Sequence, residues 1–149
     1  MLLRRTFLAG STIWAAAIPL AAFAASRPAA ATAAYGFALT IYAIGHVVCH
    51  QLPARSFHVW AASLPVCARC TGIYAGAAAT AVAMSVRRWR PDATRGPSYA
   101  RAVLLLALAP TAATLVFEWT TGTMPANWIR ALAGLPLGAA VAWAIGMVN

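Results

Sequence analysis

Five apolar stretches, separated by four shorter polar or turn-rich connections, organise this chain. They cover residues 6–25, 29–49, 66–86, 102–119 and 129–148, each about 18–21 residues long. A helix needs about 20 residues to cross the hydrocarbon core of a bilayer. Lipid offers no partner to an open backbone N–H or C=O, so each stretch reads as a helix. The alternating segments of about ten residues that mark a membrane barrel are absent from the sequence. The predicted fold is all-α: a single polytopic membrane domain over residues 1–149, a bundle of about five transmembrane helices.

The connections differ in character. Residues 26–28 form a short turn with Arg27 and Pro28, and residues 51–65 a polar-aromatic loop with Arg55, Ser56, Phe57, His58 and Trp60. Residues 87–101 carry Arg87, Arg88, Arg90, Arg95 and Arg101, and residues 120–128 contain Gly122, Pro125 and Asn127. The arginine-rich connection favours the cytoplasm, which would put loop 51–65 on the outer face. Trp60, Trp89, Trp119 and Trp128 lie near the ends of the stretches, as residues of an interfacial aromatic belt do.

The first stretch has two readings. Arg4-Arg5-Thr6-Phe7-Leu8 resembles a twin-arginine export signal, and Ala22-Phe23-Ala24-Ala25-Ser26 offers small residues for cleavage. We favour a retained membrane helix, with residues 1–28 the signal-like or first transmembrane segment and 29–149 the core.

Composition supports a membrane setting. Hydrophobic residues make up 62% and charged residues 9%, against about 25% charged in an ordinary soluble domain. The net charge of +9 comes from eleven basic residues against two acidic ones, Asp92 and Glu118. The basic residues are scattered arginines, most of them flanking apolar runs, so a nucleic-acid partner is not expected. The expected partners are the lipid bilayer and other membrane-protein subunits, and the expected location is the prokaryotic inner membrane, multi-pass.

Candidate chemistry is concentrated at two points. Cys49-His50-Gln51 ends the second stretch and Cys67-Ala68-Arg69-Cys70 opens the third, and these hold every cysteine in the chain. A span-loop-span hairpin would bring both to one membrane face. Three thiols and an imidazole are a structural zinc set, so Cys49, His50, Cys67 and Cys70 are the candidate metal ligands. A zinc ion with three thiolates carries a net negative charge. Arg55, Arg69 and Gln51 are placed to support it. The competing reading is redox: Cys67 and Cys70 as a C-x-x-C disulfide pair, with Cys49 as shuttle. Ordinary buried cysteines are the third possibility. An enzyme is the less favoured of the functional readings, and no catalytic residue is assigned.

The stretch Cys49-His50-Gln51-Leu52-Pro53-Ala54-Arg55-Ser56-Phe57, followed by Pro65-Val66-Cys67-Ala68-Arg69-Cys70-Thr71-Gly72-Ile73-Tyr74, resembles domain of unknown function 2085. That is a family of small prokaryotic integral membrane proteins. The likeness is specific over residues 45–76 and continues in Asn127, Arg130, Gly134 and Gly138. It implies a helical membrane protein and treats the Cys-His-Gln and C-x-R-C elements as a unit. It implies no activity.

Other residues carry a sharp and a bland reading. His46, one turn before Cys49, is a spare ligand or a core histidine, and His58 faces solvent. Glu118, an ionisable group in a span, is a functional candidate, a partner for Arg130, or a group reaching the headgroups. The pairs Gly72/Gly76 and Gly134/Gly138 have the spacing that lets helix backbones approach in lipid. Pro136 is expected to bend its helix inside the second pair. A transporter or channel would need a polar path, and Thr40, Thr111, Thr114 and Glu118 supply little of one. The favoured function is a non-catalytic membrane protein with a structural metal site, serving as an accessory subunit of a larger membrane complex.

Overall fold

The computed structural model describes residues 2–27, 32–86 and 96–147. Among these residues the chain forms five helices: α1 (Leu2–Ala25), α2 (Thr32–Val48), α3 (Ala68–Val86), α4 (Pro97–Thr121) and α5 (Asn127–Met147). The fold is an all-α bundle. Arg87, Arg88, Trp89, Arg90 and Arg95, on which the expected orientation rests, lie outside the described residues, as does the turn at Pro28.

Local sequence sets the helix ends. Pro97 opens α4, where its missing N–H costs nothing, just after Gly96. Gly122 closes the same helix in the left-handed region at φ 66° and returns its N–H to the Glu118 carbonyl at 3.0 Å. Pro19, Pro110 and Pro136 lie inside helices, which membrane helices tolerate when neighbours re-satisfy the freed carbonyls.

Among the described residues, three helical stretches are long and apolar enough to cross a membrane: Arg5–Ala25, Pro97–Thr121 and Asn127–Met147. The other two helices are the shorter apolar α2 and the Ala- and Gly-rich α3. The modest hydropathy of α3 follows from its place. It packs against α1 on one side and α5 on the other, so it needs few large lipid-facing side chains. α2 adds to α1, and α4 lies on α5. Large apolar side chains point outward across the bundle, among them Leu106, Val47 and Trp119. Such an apolar surface suits lipid. Trp60, Trp119 and Trp128 are all exposed.

The α3–α5 contact is backbone on backbone. A Cβ on Gly72 or Gly76 would overlap the carbonyl oxygen of Ala131 or Leu135, and one on Gly134 or Gly138 would overlap that of Arg69 or Ile73. Without a hydrophobic drive between helices in lipid, this close dispersion contact is what holds the pair. It also fixes the start of α5 against the start of α3, where the candidate site lies.

The connection from α2 to α3 is more ordered than the predicted loop. It contains a single 3-10 turn, Pro53–Arg55, and a two-residue hairpin in which strands β1 (His58–Val59) and β2 (Ala62–Ser63) pair antiparallel. Trp60 and Ala61 turn the hairpin with φ of 52° and 65°. Tight two-residue hairpins demand that left-handed geometry, usually met by Asn or Gly. Packing compensates: Trp60 stacks edge-on against Phe23 of α1 at 5.2 Å between centroids.

Candidate functional site

Cys49 follows the last turn of α2, and its N–H still donates to the Gly45 carbonyl at 2.9 Å. Gln51 then reverses the chain with a φ of 48°, unusual for a residue other than glycine. Its side chain fixes the reversal. The Gln51 Nε2 donates to the carbonyl oxygens of Tyr42 and Pro65, both at 2.7 Å. The Tyr42 hydroxyl donates to the Ser63 carbonyl. The returning segment thus lies along the end of α2, and Gly45 leaves the room it needs, since a Cβ there would overlap the Pro65 carbonyl. Gln51 therefore acts on the backbone that carries the cysteines.

This fold-back brings Cys67 and Cys70 to Cys49. The Cys67 N–H donates to the Cys49 Sγ at 3.2 Å. The three Sγ atoms lie within 4.8 Å of one another, and all three cysteines are free. Tetrahedral zinc with bonds of about 2.3 Å to sulfur would hold its ligand sulfurs about 3.8 Å apart. The sulfurs are already near that separation. His50 does not join them: it is exposed and lines the adjoining cavity instead. His46 and His58 are also exposed and outside the group.

The thiols share one negative charge readily. The Cys70 thiol donates to the Cys67 sulfur, and Cys49 and the Arg130 charge assist, which outweighs burial and lowers Cys67 to about 5. One thiolate supported by two thiols is an environment that welcomes a soft cation or attacks an electrophile.

A second cluster adjoins the first. Glu118, near the end of α4, is buried, and three guanidiniums surround it. Arg55 approaches its Oε1 at 3.3 Å, Arg69 its Oε2 at 3.3 Å and Arg130 its Oε1 at 3.6 Å. Arg69 also donates to Thr114 Oγ1 at 3.2 Å, one helical turn before Glu118. Asn127, at the start of α5, donates to the Ser56 carbonyl at 3.0 Å and so ties the 51–65 segment to α5. A cavity of about 340 Å³ connects the two clusters; Cys49, His50, Cys67, Cys70, Arg55, Arg69 and Arg130 contribute to its wall.

Sequence reasoning offered Arg55 and Arg69 as partners of the thiols, and pairing with Arg130 as one of several possible roles for Glu118. The structure joins these groups in one network, in which the arginines both wall the cavity and share a carboxylate. The signal was available. A lone acid in an apolar span must be neutralised, and Arg69 and Arg130 both open helices at the same end of the bundle.

The family model for a predicted membrane protein, DUF2085, matches residues 49–144. That span contains every residue of the thiol and arginine clusters. An uncharacterized protein of Methanocaldococcus jannaschii is 47% identical over 38 residues, which are 26% of this chain and 24% of that protein. The similarity thus spans about a quarter of that relative's length. No solved structure matches the chain. With a family model matching well over half of its length, the chain belongs to the DUF2085 family of predicted membrane proteins.

Proposed function

We propose that Cys49, Cys67 and Cys70 hold one divalent metal ion, zinc by the softness of the donor set, in a multi-pass protein of the prokaryotic inner membrane. The observation that carries this reading is the convergence of three free sulfurs within 4.8 Å from either end of one inter-helix segment. A metal there clasps the end of α2 to the start of α3, as a disulfide would between two cysteines but with three attachment points. The fourth position falls to His50, which lines the same cavity, or to a small ligand within it. The protein then serves as a helical accessory subunit whose exposed apolar faces meet lipid or other subunits.

Cobalt substitution tests the reading. Cobalt added to metal-free protein should give the intense sulfur-to-metal charge-transfer band and the visible d–d bands of tetrahedral thiolate coordination. Their absence from folded, reduced protein would count against it.

The lowered Cys67 thiol favours one other reading, a thiol-disulfide oxidoreductase. In it the Cys67 and Cys70 thiols would form one disulfide, passing two electrons and two protons to a quinone. Trapping a Cys67–Cys70 disulfide that reforms when quinone is added to reduced protein would support it. Three thiols that stay metal-bound through such a cycle would dismiss it.

A further inference from the structure

The arginine cluster is overcharged for its single carboxylate. Three guanidiniums share Glu118, which leaves that cluster two positive charges in excess, of which a thiolate among the adjoining sulfurs meets at most one. Arg130, the most buried of them at 1% exposure, is also poorly satisfied. Its Nη1 lies 3.5 Å from Asn127 Oδ1 and its Nη2 lies 3.6 Å from Glu118, while its Nε has no partner. Good N–H···O bonds run at about 2.7–3.2 Å. The buried Nε of Arg69 has no partner either. A structural salt-bridge cluster should do better, because a buried guanidinium is stable only when its charge and its donors are both met.

The backbone adds to the excess. α3 and α5 both begin at this site, with Arg69 the second residue of one and Arg130 the fourth of the other, and neither has an acid in its first turn. Arginine there opposes the helix dipole, whose positive end favours anions. All three arginines line the 340 Å³ cavity, and Glu118 does not. The carboxylate therefore braces the guanidiniums from outside the cavity wall and leaves their remaining charge available within it. Water could fill a space of this size and meet the open donors, but it cannot neutralise the charge that remains.

We propose that this cavity is an anion site in which Arg55, Arg69 and Arg130 hold a phosphate group. Planar guanidiniums with several fixed donors suit a tetrahedral oxyanion. The site goes beyond the metal reading and does not depend on it. A divalent ion with three thiolates would contribute one negative charge, and the combined wall would still be positive. Two sources of the group fit the chemistry, free phosphate and the headgroup of an anionic phospholipid at the membrane surface.

Delipidated full-length protein in a non-ionic detergent separates them. Inorganic phosphate is titrated by calorimetry in low-salt buffer, and native mass spectrometry follows retention of phosphatidylglycerol against phosphatidylcholine. The expected result is saturable binding at one site of phosphate, of phosphatidylglycerol or of both. Preference for phosphatidylglycerol, with phosphate as competitor, identifies the headgroup; phosphate binding without lipid preference identifies the free anion. Arg130→Gln should weaken binding at least tenfold, and Arg55→Gln, on the more exposed side chain, several-fold. If Arg130→Gln does not fold, Arg55→Gln decides. Binding of neither probe, or binding that folded Arg55→Gln leaves unchanged, overturns the proposal. Repeating the titration after chelation keeps the two readings apart: phosphate bound without metal supports this site alone, and zinc bound without phosphate supports the metal site alone.

Discussion

The backbone N–H of Cys67 donates to the Sγ of Cys49 at 3.2 Å, so the residue that opens the approach to α3 is bonded to the sulfur that closes α2. The bond joins two points separated by the whole 51–66 segment. It makes thiol placement a property of how that segment folds back. Changes to the fold-back should therefore be felt at the sulfurs.

Gln51 offers the first test. Its amide satisfies two backbone carbonyls, those of Tyr42 and Pro65. Gln51→Ala removes both bonds and should cost about 1–3 kcal/mol of stability. Groups that orient metal ligands are worth about 10–100-fold in affinity. Competition for zinc with a chromophoric chelator should show a loss of that order. Unchanged zinc affinity in a destabilised variant would separate the loop from the site.

Cys67 makes a pH-dependent prediction. Held at about 5 by its neighbours' hydrogen bonds, it is a thiolate throughout the neutral range in metal-free protein. Iodoacetamide should modify it at a rate nearly flat from about pH 6.5 to 8, whereas an ordinary thiol speeds up until about pH 8.5. The rate should fall only as pH drops through about 5 and the thiolate gains its proton. Peptide mapping of the alkylated protein identifies the residue, and a profile that rises steadily to pH 8.5 contradicts the prediction.

The shared carboxylate predicts an asymmetry between partners. Glu118→Gln leaves three guanidiniums without their counter-charge and should destabilise by about 3–5 kcal/mol, the usual cost of stripping a buried charge of its partner. Arg55→Gln should cost about 0–1 kcal/mol, since that side chain is 39% exposed. Thermal unfolding in one detergent compares the two. Similar losses for both would mean that Glu118 is not the hub.

The glycine contacts predict a difference between positions. Gly138→Ala drives a methyl into the Ile73 carbonyl, whereas a Cβ at Gly36 meets nothing within 4 Å. The first should lose about 1–3 kcal/mol or more as the α3–α5 pair is forced apart. The second should be neutral or gain up to about 1 kcal/mol from helix propensity. Melting temperatures in detergent should move in opposite directions, or the first alone should fall.

Much of this architecture was legible because it is written in short-range patterns. Apolar runs of about one bilayer thickness located all five helices, although α4 begins at Pro97 rather than 102. Spacings of three and four put Cys67 with Cys70, and Gly134 with Gly138, on common faces. What depends on direction at a chain reversal was not legible. Each residue at a helix end points about 100° from the last, so Cys49 joins the other sulfurs while His50 beside it does not. The fold-back led by Gln51 and the Trp60-Ala61 hairpin lacks the usual Gly or Asn signals. The gathering of Arg55, Arg69 and Arg130 on Glu118 brings together four segments, and no local pattern encodes it.

The three-sulfur metal site is tested most directly by the metal content of protein purified under reducing conditions, by inductively coupled plasma mass spectrometry, beside a thiol titration of the same sample. A three-thiol metal site predicts about one zinc per chain, thiols that react only after chelation, and loss of the metal in Cys49→Ser. Folded protein without stoichiometric metal, with all three thiols open to reagent, would contradict it.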